Sequence, residues 1–90
     1  MRIRWTPAAA DDLQSIKDYL TGRDPHLAQP TVIKLYQIAR SLKKSPLRGR
    51  AGREEGTREL VCAPLPFIIV YRVKGCDVQI LHIHHDAQLR

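Results

Sequence analysis

Three histidines near the end of the chain, His82, His84 and His85, are the side chains best suited to moving a proton. An imidazole titrates near neutral pH and can serve as general acid or general base. On an extended strand His82 and His84 point one way and His85 the other. The competing reading is structural, with one histidine buried and hydrogen-bonded and the others edging a sheet. No third ligand accompanies the pair at metal-binding spacing, so the pattern gives no metal site, and nothing in it calls for a cofactor. The second group is cationic: Arg48, Arg50, Arg53, Arg58, Arg72 and the terminal Arg90. Guanidinium groups of this kind contact phosphates or acidic protein groups. Their alternative is a solvated loop, with Arg58 and Arg72 in local ion pairs to Glu59 or Asp77.

Charge and size narrow the choice. The chain has 90 residues and a net charge of +6. Residues 40–58 hold seven of the positive side chains against Glu54 and Glu55, a net +5. A basic segment of this density favours a polyanion or an acidic protein partner. Ninety residues make a single domain, 1–90, with a modest core that a partner chain can supplement. A hydrophobic fraction of 43% excludes global disorder. Cys62 and Cys76 lack Cys-x-x-Cys spacing, which fits reduced thiols. No apolar run approaches the ~20 residues of a membrane span and no signal-peptide core opens the chain, so a soluble cytoplasmic protein is expected.

The elements that would carry these residues are legible from periodicity. Arg2 to Trp5 alternates polar and apolar, giving a short strand with Ile3 and Trp5 on one face. Thr6 is placed to cap a helix beginning at Pro7, with Asp11 and Asp12 favouring its positive end and Gly22 ending it. Ala9, Leu13, Ile16 and Leu20 form its core stripe. After Asp24-Pro25 the spacing predicts a loose turn, then a second helix from about Pro30 to Lys44, because an interior proline removes a backbone donor. Val32, Leu35, Tyr36, Ala39 and Leu42 make its buried stripe. Residues 46–56 read as loop. Strands follow at about 57–63, 67–73 and 77–84, the last two joined at Lys74-Gly75-Cys76-Asp77. The strand from Phe67 reads as central and covered on both faces. Pattern alone places Tyr36 and Tyr71 in the core and Trp5 in the core or at a sheet edge. The predicted class is α+β, in the order β-α-α-β-β-β, with a helical hairpin on one face of a mainly antiparallel sheet whose other face stays partly open.

With this topology the chain resembles the RelE/ParE superfamily of bacterial type II toxin–antitoxin toxins. The carriers are Trp5-Thr6-Pro7-Ala8-Ala9-Ala10-Asp11-Asp12-Leu13, Pro46-Leu47-Arg48-Gly49-Arg50, Thr57-Arg58-Glu59-Leu60-Val61, Pro66-Phe67-Ile68-Ile69-Val70-Tyr71-Arg72-Val73 and Ile80-Leu81-His82-Ile83-His84-His85. The resemblance implies a toxin neutralised by a cognate antitoxin, forming a hetero-oligomer with it. It also implies a target: DNA gyrase in the ParE-like branch, or the ribosome and its mRNA in the ribonuclease branch. That second branch uses basic side chains of the sheet face and tail to steady phosphate charge. An ungapped comparison matches those positions to Glu59, Val61, Ile68 and Gln88, none a cation, and this favours the gyrase-binding branch. In the ribonuclease alternative, His82, His84 and His85 would be catalytic and Arg58 or Arg72 would steady the phosphate. A third possibility is an inactive member that retains antitoxin binding. Arg90 follows the last strand so closely that any family C-terminal helix is expected to be absent or very short.

Overall fold

The computed structural model describes residues 1–89. Its elements run β1 (Arg2–Trp5), α1 (Pro7–Arg23), α2 (Pro25–Ser41), β2 (Arg50–Ala51), β3 (Arg58–Val61), β4 (Phe67–Lys74), β5 (Asp77–His85) and a short 3₁₀ turn (Asp86–Leu89). The strands form one sheet in the order β1-β5-β4-β3-β2. Strands β2 to β5 are antiparallel neighbours, while β1 lies parallel to β5. The helical hairpin between β1 and the meander makes that parallel pairing possible, since a parallel neighbour needs a long crossover.

Local chemistry explains the starts. Thr6 Oγ1 accepts the Ala9 N–H at 3.2 Å and Pro7 opens α1. Asp11 and Asp12 do not serve the helix end as expected, because the first turn of α1 contains no acidic residue. Gly22 also does not end α1, which runs on to Arg23 and is closed by the Asp24 N–H donating to the Leu20 carbonyl at 2.7 Å.

The second helix corrects the proline argument. It is continuous from Pro25, with Pro30 inside it. Burial of Ala28, Thr31, Leu35 and Ala39 along one side outweighs the one donor that Pro30 lacks. It ends at Ser41, three residues before the expected Lys44. There Leu42, Lys43 and Lys44 donate to Ala39, Arg40 and Ser41, an i→i−3 pattern that tightens the chain out of the α-helix.

The core lies between the helices and one sheet face. Leu35, Ala39, Leu42, Ile69, Tyr71, Val78 and Ile80 are fully buried there. Tyr71 seals its edge: its hydroxyl donates to the Pro46 carbonyl at 2.7 Å and accepts the Gly49 N–H at 2.8 Å. The segment from Pro46 to Gly49 is thus strapped across the ring. A β-carbon on Gly49 would stand 2.8 Å from that ring, so only glycine fits without displacement. The strap then enters β2, a short strand inside the segment 46–56 expected to be loop, whose Arg50 pairs in register with Glu59.

Two further expectations change. Tyr36 is 50% exposed, turned out of the core toward Trp5, with ring centroids 5.0 Å apart. Strand β4 is central but not covered equally: Ile69 and Tyr71 are sealed beneath the helices, while on the other face Ile68 is buried, Val70 half-buried and Arg72 exposed.

Candidate functional site

The uncovered face of the sheet is built by register. Glu59, Val70 and His82 stand in one cross-strand row, and Val61, Ile68 and His84 in the next. Between Val70 and Tyr71 the pairing with β5 shifts, so Leu81 is an extra residue in β5. This bulge turns Leu81 toward the open face together with His82, while Ile80 and Ile83 stay in the core. The result is a shallow basin of about 560 Å³ lined chiefly by Arg53, Glu59, Arg72, Leu81, His82 and His84.

The first motif of the chain holds the bulge in place. Thr6 Oγ1 donates to the Ile80 carbonyl at 2.7 Å, and the Thr6 N–H to the same oxygen at 3.1 Å. Further along α1, Asp12 Oδ2 accepts the Ile83 N–H at 2.9 Å and lies 3.1 Å from His82 Nδ1. Asp12 therefore satisfies a β5 amide beyond the end of β1, and orients the imidazole beside it. Nothing in the local sequence around Asp12 signals this, because its partners are 70 and 71 residues away.

The histidines divide as strand alternation requires. His82 and His84 stack with centroids 5.2 Å apart on the open face. His85 lies on the other side, edge-on to Phe67 at 5.8 Å and near Asp86. They cannot act as one three-histidine cluster, and among the described residues no group of His, Cys, Asp or Glu could hold a metal ion.

The arginines divide too. Arg50 and Arg72 belong to the open face. Arg50 binds the Glu59 carboxylate at 3.1 Å, and Arg72 Nε donates to Gln79 Oε1 at 2.6 Å. Arg53 lines the basin from the loop. Arg58 and Arg48 serve the strap instead. Arg58 donates to the carbonyls of Leu47 and Gly49, and Arg48 to the Ser41 hydroxyl. The ion pairs expected of Arg58 and Arg72 are therefore not the ones formed. Glu59 is taken by Arg50 and Asp77 by Arg2 at 2.9 Å. Arg90, and the side chain of Gln88, lie outside the described residues.

The sequence reading missed Arg2 and Arg4. Ile3 and Trp5 pack toward the core, so strand alternation puts both arginines on the open face. The signal was present in the Arg-Ile-Arg-Trp alternation. Of the two thiols, Cys62 is buried and Cys76 exposed in the β4–β5 turn. Burial pushes the Cys62 thiol up to about 11, against weaker pulls from an Ile69 backbone hydrogen bond and the Arg48 charge, so it is not a nucleophile at neutral pH. No helix among the described residues is long and apolar enough to cross a membrane.

Two helices on one face of a five-stranded mixed sheet, with a basic strap and an open second face, define a type II toxin of the RelE/ParE superfamily. The family model described as the ParE toxin of the type II toxin–antitoxin system, parDE, matches residues 3–90, and the chain belongs to that family. It is 39% identical over 88 residues to toxin RelE2 of Caulobacter vibrioides, covering 98% of each chain. A chain of the chromosomal ParDE toxin–antitoxin system from P. aeruginosa superposes with a TM-score of 0.88 at 32% identity, covering 94% of this chain and 95% of that one. The toxin–antitoxin complex RelBE2 from Mycobacterium tuberculosis contains the same fold, with a TM-score of 0.69 at 24% identity over 93% of this chain and 95% of its counterpart.

Proposed function

We propose that this toxin arrests growth by binding an essential nucleic-acid enzyme, DNA gyrase, without hydrolysing a substrate, and that a cognate antitoxin neutralises it by covering the toxin's surface. The observation that carries this reading is the Glu59 carboxylate, buried in the wall of the open basin with Arg50 fixed upon it. Glu54 lines the same basin. Carboxylates there repel a phosphate, and the Arg50 guanidinium is engaged by one of them, Glu59. Phosphoryl chemistry needs the opposite, preorganised cations aimed at developing negative charge. A binding surface tolerates mixed charge and gains specificity from it. Assaying DNA supercoiling by purified gyrase with added toxin tests the reading. Inhibition that saturates with toxin concentration is expected, and full supercoiling at saturating toxin overturns it.

One feature favours a second reading, ribosome-dependent mRNA cleavage. His82 is oriented by Asp12, stacked on His84 and on the same face as Arg72. An imidazole so held can act as general base toward a ribose 2′-hydroxyl. Replacing His82, His84 and His85 together with alanine separates the two. Growth arrest that survives excludes the catalytic model.

A further inference from the structure

Residues 25–53 contain seven lysines and arginines and no aspartate or glutamate. The fold gathers several of these cations at the C-terminal end of α2. A shallow depression of about 550 Å³ there is lined by Gln37, Arg40, Ser41, Lys43 and Lys44. Its backbone is ordered by the Lys43 and Lys44 amides, which donate to the Arg40 and Ser41 carbonyls at 3.1 and 3.3 Å. Arg48 reaches the same wall from the strap. Its Nη1 donates to Ser41 Oγ at 2.8 Å, while that hydroxyl donates to the Ile38 carbonyl at 2.6 Å. Arg40, Lys43, Lys44 and Arg48 are all exposed. Among the described residues, none of the four forms an ion pair with a carboxylate. The α2 macrodipole favours a cation in the last turn, where Arg40 stands, but its effect fades beyond that turn. It gives no reason for Lys44, or for a guanidinium brought in from the strap.

We infer that this end of α2 is a docking surface for the phosphate backbone of a nucleic-acid duplex, held without reference to base sequence. The choice of partner follows from what lines the surface. All five lining side chains are polar or charged, and each can donate a hydrogen bond to a phosphate oxygen. An acidic protein segment needs apolar anchors as well as charge, and the depression offers none. A single strand is held largely by stacking its bases on aromatic rings, and no ring lines this wall. A duplex presents its phosphates at high charge density, so several cations meet phosphates at once and condensed counterions are released. The open-face basin differs in kind, because Glu54 and Glu59 stand among its cations. Duplex binding at α2 does not require the gyrase contact proposed above.

The probe is a fluorescein-labelled duplex of about 20 base pairs and arbitrary sequence, prepared as DNA and as RNA. Each is titrated with the full-length toxin and read by anisotropy between about 50 and 200 mM salt. Saturable binding to at least one of them is expected, weakening steeply as salt rises, and the tighter duplex names the source. Arg40→Ala, Lys43→Ala and Lys44→Ala together should weaken binding by about tenfold or more and lower the salt slope by about three. Lys17→Ala, Arg23→Ala and Lys74→Ala together remove the same charge from other surfaces and should weaken binding by less than about threefold. All six side chains are exposed, so both triple variants keep the fold, which urea unfolding checks. Equal losses in the two triple variants overturn the site, because they show a response to net charge alone. An unchanged salt slope overturns it too, as does tighter binding of the single strand or equal binding of a glutamate peptide carrying the same charge. Full supercoiling by gyrase in the presence of toxin that still binds the duplex overturns the gyrase reading alone.

Discussion

The two faces of one sheet obey different rules in this protein. The face beneath the helices is sealed: Ile69, Tyr71, Val78 and Ile80 have no exposure, and the Tyr71 hydroxyl is fully hydrogen-bonded. The opposite face carries Arg50, Arg72, His82 and His84 around a basin, and its cross-strand rows mix charge with aliphatic groups. The same strands supply both, so the difference arises from what covers each side. Stability is concentrated on one face, which leaves the other free to vary in chemistry at little cost to the fold.

Substitutions should separate the faces by size of effect. Leu35→Ala opens a void under the sealed face and should destabilise the protein by about 3 kcal/mol, read from urea unfolding. A loss below about 1 kcal/mol would mean the core is loosely packed. Tyr71→Phe keeps the ring but strands the Pro46 carbonyl and the Gly49 N–H, with an expected loss of about 2 kcal/mol. Hydrogen exchange should quicken first at Gly49, and a uniform acceleration across the domain would contradict the strap.

Asp12→Ala sits at the seam between the faces. It removes the acceptor of the Ile83 N–H and the support of His82, with about 1–2 kcal/mol lost and the His82 ring resonance altered. A titration sharpens the contrast further. The Cys62 thiol rises from its ordinary 9.0 to about 11 in the fold, so the folded chain holds a proton that the unfolded chain releases. The stability this contributes is complete below about pH 9 and is lost as pH climbs toward 11. The melting temperature should therefore fall more steeply over that interval than in Cys62→Ala, and parallel curves would show the thiol to be accessible. The smallest effect on stability belongs to the open face. Arg72→Ala should change unfolding by less than about 0.5 kcal/mol. On the proposed gyrase-binding function, it should nevertheless raise the toxin concentration needed for inhibition by about tenfold. Equal inhibition would remove Arg72 from the binding surface.

Much of the architecture was open to a reader of the sequence. Thr6-Pro7 announced α1, the Ala9 and Leu13 stripe named its buried side, and Gly75, with a φ of 60°, fixed the β4–β5 turn. The failures were those of purely local reasoning. Pro30 looked like a barrier because local propensity omits the packing that pulls α2 through it. Tyr36 fell on the apolar stripe, yet its neighbour is the edge strand rather than the sheet centre. Arg48 and Arg58 share with Arg50 and Arg72 their charge, which carries no information about direction. The register of β3 sends Arg58 to the strap side and Glu59 to the open side.

Fold class and positive charge follow from periodicity, capping residues and composition, which are properties of neighbours along the chain, and the family resemblance follows from the order of its motifs. Which arginines share a surface and how Asp12 reaches His82 are settled only in three dimensions. These features depend on strand register and on residues some 70 positions apart meeting in space.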